Sequence, residues 1–353
     1  MPVAPGREIQ IDGSYGEGGG QLLRTAVALA AITGRVLHVH NVRAKRPKSG
    51  LAPQHLAAVR AVGALCGASV NGLNLRSTDL TFAPGELRGG RHAFDIGTAG
   101  SITLVLQAML PVLVACGRHS EITVHGGTDV RKAPPLDYFR EVTLALLEHM
   151  GIRTEMTVRH RGYFPRGGGE VTLAVAPGRL RPLAAVTLGP VQRIHGLAHV
   201  AGIDIGIAVR MRDACLAALP GGGPVEPRIE IAQLGPEQAV GAGGAIVAWA
   251  QTGGSIVGAG RVAERGIRAE TLGSAVGTEL RADLESGASV DLHAADQILI
   301  YLALARGGSF STRALSSHAQ TAIWLIEQFL PMRFETAAEG SRVIVRVASV
   351  SPA

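Results

Sequence analysis

Segments with apolar residues at helical spacing alternate along the chain with short segments in which apolar and polar residues alternate. Each helical segment ends at glycine or proline, and this order predicts a helix followed by a strand. It occurs three times, at 54–66 before 67–70, at 136–150 before 151–158, and at 321–330 before 331–335. The recurrence predicts an α/β fold of repeated units that pack helices on one side of their sheets.

The most apolar segment, 104–116, predicts a buried helix. It contains Gln107 and is shorter than the roughly 20 residues that cross a bilayer. The charged residues Arg7 and Glu8 precede any apolar run, so we expect no signal sequence. We therefore predict that the protein does not associate with a membrane.

The pattern changes between 183 and 287, where the chain becomes rich in glycine and only weakly periodic. Because the pattern before and after this segment is the same, we predict a small domain, 183–287, inserted into a large domain, 1–182 and 288–353. Its predicted elements are a surface loop at 220–227, strands at 229–231 and 245–250, and a helix from 261 through 274 and onward.

Composition narrows the class of protein and partner. Of 353 residues, 46% are hydrophobic and 18% charged, so a folded chain is expected. The net charge of +6 favours an anionic partner. Aromatic residues are only 4% of the chain, which disfavours a long stacking surface for single strands and suggests that the end of a nucleic acid is bound.

The three cysteines, Cys66, Cys116 and Cys215, are far apart and form no CxxC pair. Neither a zinc site nor a disulfide framework is indicated, and a cytoplasmic location is expected.

Two glycine-rich segments, 12–24 and 95–101, each connect a predicted strand to a predicted helix. Glycines allow backbone amides to approach an anion at a helix start, and Glu17 in the first segment suits a divalent cation beside phosphates. The segment lacks the Lys-Ser/Thr ending of a P-loop. Phosphate or metal binding and a tight structural turn both remain open for each loop, and the two loops are expected to face one cleft.

A third segment, 43–55, packs four cations into a loop before a helix. Arg43 and Arg46 are suited to gripping phosphate, and Gln54 and His55 at the helix start favour a binding site. A solvated surface loop is the alternative.

Polar residues stand at the beginning of two predicted apolar helices near the end of the sequence. Asp296 and Gln297 can hydrogen bond a ribose or base, although helix capping by Asp296 is an alternative. His318 begins the last predicted helix, whose N-terminus disfavours imidazolium, so the ring is expected to be neutral and nucleophilic. A structural or surface histidine is the alternative.

Taken together, these motifs resemble those of the RNA 3′-terminal phosphate cyclase family, in the same order. The matching positions are 17–21 with Arg24, 54–55, 97–107, 126–129, 133–135, 167–169, 296–297 and His318. The resemblance implies repeated α/β modules similar to the C-terminal domain of translation initiation factor three, with a small α/β domain inserted.

The resemblance also implies an ATP-dependent enzyme that uses Mg²⁺ or Mn²⁺ and acts on RNA with a 3′-phosphate. His318 would form a histidyl-AMP, AMP would pass to the RNA phosphate, and the 2′-hydroxyl would close a 2′,3′-cyclic phosphate. Its implied sites are catalytic His318; ATP-binding Gln107, His293, Ala294, Ala295, Asp296 and Gln297; phosphate- or RNA-binding Arg24, Arg43, Arg46, Gln54 and His55; and metal-binding Glu17.

Several positions depart from the family pattern and bear on base selectivity and turnover: His293 in place of tyrosine, Ser49 in place of proline, Gly260 in place of an aromatic residue, and Ala319, Ala322 and Ile323 after the nucleophile.

Use of GTP and a dimeric state are left open. The alternatives are the family's non-catalytic ribosome-assembly branch, which lacks the histidine, and an enolpyruvyl-transferase-like enzyme.

Overall fold

The structure is a computed structural model that describes residues 8–219 and 225–349. Its first unit contains β1 (Ile9–Asp12), α1 (Gly20–Thr33), β2 (Leu37–His40), α2 (Pro53–Cys66), β3 (Ser69–Asn71) and β4 (Leu80–Ala83). The strands form a sheet in the order β1-β2-β4-β3, with β1 parallel to β2 and the other pairs antiparallel. Buried and less buried residues alternate along β1 and β2, as expected for strands covered by helices on one face.

The second unit repeats this arrangement. Its elements are β5 (Gly90–Asp95), α3 (Ile102–Cys116), β6 (Ser120–Gly126), α4 (Leu136–Tyr138), a π-helix (Phe139–Leu144), α5 (Ala145–His149), β7 (Thr154–Gly162) and β8 (Gly169–Val175). The strand order β5-β6-β8-β7 matches the first sheet, with β5 parallel to β6 and the other two pairs of these four strands antiparallel.

After β9 (Leu183–Ala185) the chain enters a different arrangement. Its elements are β10 (Val191–Ala201), α6 (Gly206–Ala218), β11 (Arg228–Leu234), β12 (Ala239–Val240), β13 (Gly243–Thr252), β14 (Ile256–Val262) and α7 (Ala269–Ser286). The sheet β11-β10-β13-β14 is covered by α6 and α7 over a separate hydrophobic core. β12 does not belong to this sheet and instead runs parallel to β7 as an additional strand of the second unit's sheet.

The third unit is completed by α8 (Ala294–Ala305), β15 (Gly308–Thr312), α9 (Ser317–Phe329), β16 (Met332–Glu339) and β17 (Arg342–Ser349). Its sheet has the order β9-β15-β17-β16, so all three sheets share one connectivity. β9 pairs with β15, which places 183–185 in the sheet of the third unit although they fall inside the segment predicted to be inserted. The two-domain division and the likeness to translation initiation factor three stay predictions.

The predicted helices at 54–66, 104–116, 136–150 and 321–330 are confirmed, the third with a π-helical turn at its centre. The helix predicted from Arg261 is confirmed only from Ala269 onward, as α7, and its predicted start was wrong because β14 continues to Val262. Strands at 229–231 and 245–250 are confirmed within β11 and β13. Residues 220–224 of the predicted loop lie outside the described residues.

Helices α1, α2, α3, α8 and α9 share the main hydrophobic core. Within 8–219 and 225–349, no helix has the length and apolar character that crossing a membrane requires.

Candidate active site

A cavity of about 940 Å³ is lined by all three units and by the segment between β9 and α8. Nearly all predicted site residues line it: Glu17, Arg24, Arg43, Arg46, Gln54, His55, Gln107, His293, Asp296, Gln297 and His318. Ala294 and Ala295, implied as ATP-binding, are fully buried in the core and do not line the cavity. The structure therefore brings together positions that are far apart in the sequence.

His318 lies in the first turn of α9 and faces the loop between β1 and α1. Its Nε2 is 3.4 Å from Oε2 of Glu17. The hydroxyl of Ser317 donates a hydrogen bond to Oε1 of Glu17, and Arg46 donates to Oε2 at 3.2 Å. The histidine and the carboxylate are thus held side by side at the cavity.

The electrostatic environment keeps the imidazole neutral and the carboxyl ionised. Burial lowers the pKa of His318, and Glu17 opposes that shift. Three positive charges lower it further: Arg24, Arg46 and His293. The hydrogen bond from Ser317 is the main cause of the lowered pKa of Glu17. At neutral pH the pair is therefore an uncharged nitrogen beside an oxygen anion.

Arg24 of α1 lines the cavity, and the nearby carboxyl of Asp296 partly offsets the effect of burial on its pKa. Its guanidinium has no hydrogen-bond acceptor among the residues that the structure describes, and burial lowers its pKa to about 10. The nearby Asp296 accepts a 2.7 Å hydrogen bond from Gln21, and burial raises the pKa of Asp296 to about 7. A guanidinium in this state is suited to a ligand that brings an anion.

His55 supports the site as a neutral group. It is 2% exposed, its Nδ1 accepts a 3.0 Å hydrogen bond from the amide of Ala52, and burial lowers its pKa to about 3. Arg43 adopts a left-handed backbone conformation and donates to the carbonyl of Gly50 at 2.7 Å, which closes the basic loop on itself ahead of α2.

His293 has an acidic partner that was not among the predicted site residues. Its Nε2 lies 2.7 Å from Oε1 of Glu279 on α7, and this hydrogen bond raises the pKa of His293. Burial raises the pKa of Glu279, but His293 and Arg261 lower it to about 2. The protonated form of His293 is thus favoured by a carboxylate on α7.

The glutamine side chains in the cavity differ in whether their amide groups already have hydrogen-bond partners. Gln297 accepts from Thr143 at 2.8 Å and donates to the carbonyl of His293 at 3.0 Å, so its amide is occupied. Nε2 of Gln107 and Oε1 of Gln21 are buried without a partner within the described chain. A buried donor and a buried acceptor are therefore available to a ligand.

Asp296 does not cap α8, because Asp291 takes that role. The carboxylate of Asp291 accepts hydrogen bonds at 2.9 Å from the amides of His293 and Ala294. Asp296 lies one turn further along and faces the cavity.

The second glycine-rich loop, 95–101, does not line the cavity, contrary to the expectation of a shared cleft. Only the helix that follows it contributes, through Leu104, Gln107 and Pro111. The loop instead hydrogen bonds to the end of β6, where Gly127 donates to the carbonyl of Gly100.

Sequence reasoning missed the groups that come from separate elements: Gln21, Arg131, Lys132, Arg261 and Glu279. Gln21 was visible in the first motif but received no role. The other four had no local signal, because tertiary packing alone brings them to the site.

A second group of ionisable residues, Asp129, Asp137 and His199, is buried where β10 meets the second unit. Nη1 of Arg161 lies 3.3 Å from Asp129 and 3.1 Å from His199, and Nη2 lies 2.8 Å from Asp137. The guanidinium thus supplies the cation that this cluster needs.

Known proteins resemble the chain over nearly its whole length. The family model described as RNA 3′-terminal phosphate cyclase matches residues 15–336. A protein named RNA 3′-terminal phosphate cyclase from Nitrosospira multiformis is 53% identical over 342 residues, 96% of each chain. Proteins of the same name from Methanopyrus kandleri and Pyrobaculum neutrophilum are each 41% identical, covering 96% and 97% of this chain and 98% and 99% of their own.

Among solved structures, the enolpyruvyl transferase NikO from Streptomyces tendae aligns with 54% of this chain and 34% of its own at 14% identity. The TM-score of 0.27 is too low to bear on fold or function. Matched over nearly its whole length by the family model and by relatives above 40% identity, the chain belongs to the RNA 3′-terminal phosphate cyclase family.

Proposed function

We propose that the protein is an ATP-dependent enzyme that converts the 3′-terminal phosphate of RNA to a 2′,3′-cyclic phosphate through a histidyl-AMP. The observation that carries this proposal is the pairing of a neutral His318 with the ionised Glu17 at a cavity that also holds the guanidinium of Arg24, which makes no hydrogen bond within the described residues. A nucleophile, an anion-binding group and a carboxylate for a metal thus share one space.

His318 is proposed to attack the α-phosphorus of ATP. The lone pair of an imidazole nitrogen forms the N–P bond while the bond to the pyrophosphate oxygen breaks, and pyrophosphate leaves. The lowered pKa keeps that lone pair free of a proton at neutral pH. Arg24 and Arg46 lie where they can neutralise phosphate charge.

Glu17 fits a magnesium or manganese ion beside the phosphates. Its carboxylate is ionised and its side chain is 36% exposed, so one ligand direction remains open to the cavity. Mg²⁺ in phosphoryl-transfer sites is commonly bound by one or two carboxylates together with substrate phosphates. The ion supplies charge neutralisation for the leaving pyrophosphate when it is bound.

In the second step, an oxygen of the RNA 3′-phosphate attacks the histidyl phosphorus, and the N–P bond breaks to return His318. In the third step, the neighbouring 2′-hydroxyl attacks the 3′-phosphorus, loses its proton and expels AMP. Because the hydroxyl lies on the same ribose, the last step is effectively unimolecular. Arg43 and the basic loop that it supports are proposed to hold the RNA end.

The nucleotide base is proposed to use the free amides of the cavity. Nε2 of Gln107 offers a donor and Oε1 of Gln21 an acceptor, and both are buried. His293, Asp296 and Gln297 complete the proposed nucleotide pocket. These groups leave ATP and GTP as alternative substrates, which competition between the two nucleotides for labelling would rank.

The test is incubation with α-labelled ATP and Mg²⁺, followed by isolation of the protein. The wild-type chain is expected to acquire an acid-labile, alkali-stable label, and His318→Ala is expected to reduce it to background while RNA binding, measured separately, persists. The matched control is His119→Ala, an exposed histidine beyond the cavity.

Retained labelling in His318→Ala would dismiss the assignment of the nucleophile. RNA binding without any label in the wild type would favour the ribosome-assembly alternative instead.

A further inference from the structure

The ring of Tyr15 is exposed at the loop that carries Glu17. It stacks on Trp324 of α9 with ring centroids 3.7 Å apart and an angle of 16° between the planes. Despite this contact, Tyr15 remains 41% exposed, whereas most large apolar side chains of the described chain are buried. One face of the ring is covered by the indole, and the residue still presents a large part of its surface to solvent.

The loop holds this ring in place. Gly16 has a left-handed backbone conformation and packs directly against the hydroxyl of Thr321 on α9. Lys45 donates a 3.2 Å hydrogen bond to the carbonyl of Gly16. The ring is therefore ordered before any ligand arrives, which reduces the entropy lost on stacking.

The position of the ring is next to the proposed chemistry. Tyr15 precedes Glu17 by two residues, a span of at most about 7 Å of chain. Trp324 follows His318 by six helical residues, about 9 Å along α9. Tyr15 and Trp324 lie outside the set of cavity-lining residues, whereas Glu17 and His318 belong to it.

Lys45 lies close to the ring, since it contacts the adjacent Gly16, and further cations follow it in the sequence. Lys45 and Lys48 are exposed in the neighbouring basic loop, and Arg46 between them contacts Glu17. Exposed lysines beside an aromatic face provide charge for a phosphodiester backbone and a surface for a base.

We propose that the open face of Tyr15, backed by Trp324, is a stacking platform for one nucleobase of the RNA upstream of its 3′-terminal phosphate. This proposal rests on the proposed function, since it identifies how the substrate is gripped beyond its reacting end. Tyrosine rings commonly stack unpaired RNA bases, and one platform of this kind requires no extended aromatic surface.

The same stack has a second interpretation, in which it only fastens the Glu17 loop to α9. The two roles separate because formation of the histidyl-AMP needs no RNA. A fastening role predicts a loss of labelling with ATP alone, whereas a platform predicts losses confined to the steps that involve RNA.

The experiment compares Tyr15→Ala and Tyr15→Phe with wild type, using an oligoribonucleotide with a 3′-phosphate. At RNA concentrations below KM, cyclisation by Tyr15→Ala is expected to fall about 10-fold or more, mainly through KM, while Tyr15→Phe retains the wild-type rate. The labelling rate with ATP alone is measured on the same preparations and should change far less.

A second arm moves a single abasic nucleotide along the oligonucleotide. In wild type, one position should weaken RNA binding by a factor similar to that of Tyr15→Ala, and in Tyr15→Ala that abasic site should cause no further loss. Equal losses from the abasic site in both proteins would overturn the proposal, as would a loss of labelling as large as the loss of cyclisation.

The binding arm uses equilibrium affinity without nucleotide, so it remains informative if the wild type shows no label. In that case the proposed reaction fails, while dependence of RNA affinity on both Tyr15 and one base would still support the platform. Absence of that dependence would sink the platform by itself.

Discussion

The first two units contain the same local motif, a strand followed by a glycine-rich turn and a helix. Only the turn of the first unit lines the cavity. In the first unit, Gly16 packs against α9 and Glu17 meets His318. In the second unit, Asp95 closes the turn on the amide of Gly97 at 2.7 Å. The local conformation is therefore shared, and the neighbouring helix decides whether the turn takes part in the site.

The helix starts differ in the same way. The hydroxyl of Ser101 caps α3 by accepting from the amide of Leu104. α1 begins after Gly19, which makes no side-chain cap. The start of α1, where Gly19 and Gly20 line the cavity, thus lacks a side-chain cap and can offer its amides to an anion.

Replacing the carboxylate of each loop by the corresponding amide should give the largest difference between the two loops. Glu17→Gln should reduce the labelling rate with ATP and Mg²⁺ by about 100-fold or more, because it removes the proposed metal ligand. Asp95→Asn keeps an acceptor for Gly97 and should stay within about two-fold of wild type. Similar losses in the two variants would show that the difference between the loops is not functional.

The glycines provide a second, smaller contrast. Gly16 and Gly97 both have positive φ, so alanine at either should cost about 1 kcal/mol of the free energy of unfolding. Only at Gly16 does the added carbon also meet Thr321, whereas nothing lies within 4 Å at Gly97. Labelling should fall about 10-fold in Gly16→Ala and remain near wild type in Gly97→Ala, since a small displacement of Glu17 is enough to slow the step.

The cap of α3 should matter for stability alone. Ser101→Ala is expected to lower the free energy of unfolding by about 1 kcal/mol, measured by urea denaturation, because the amide of Leu104 loses its acceptor. The labelling rate per folded molecule should not change. A slower rate in this variant would show that the second loop influences the cavity through α3.

The smallest expected effect concerns pH. Because the pKa of His318 is lowered, labelling should persist below about pH 6.5, where an ordinary histidine is half protonated. Arg46→Gln removes one of the positive charges that lower this pKa, so the acidic limb of the rate profile should move to higher pH. Arg91→Gln, an exposed arginine of the second unit, is the control, and a limb that moves equally in both variants would contradict the explanation.

Helix periodicity and glycine or proline boundaries predicted the main helices well, because α2 and α9 each bury one apolar face and α3 is an apolar helix that is buried over most of its length. The inserted segment was harder to predict. Small residues around Arg261 are compatible with both a helix and a strand, and pairing of β14 with β13 decides in favour of the strand.

For the site, most of the residues predicted from motifs do line the cavity, because each motif carries its own polar groups near a helix start, whereas many other lining residues come from segments without a motif. The raised pKa of His293 could not be predicted from the sequence, since its partner Glu279 lies on another helix. The lowered pKa of His318 was expected from the helix start, whereas the structure attributes it first to burial and then to neighbouring cations, neither of which is visible along a single segment.

The pairing of β9 with β15 spans the whole segment that separates them. Closing so long a loop costs chain entropy before any contact of the third sheet compensates for it. A segment that folds first brings its own ends together and lowers that cost. We therefore expect the third sheet, and with it the docking of α9, to form late in folding, after the unit between β9 and α8 has acquired its own core.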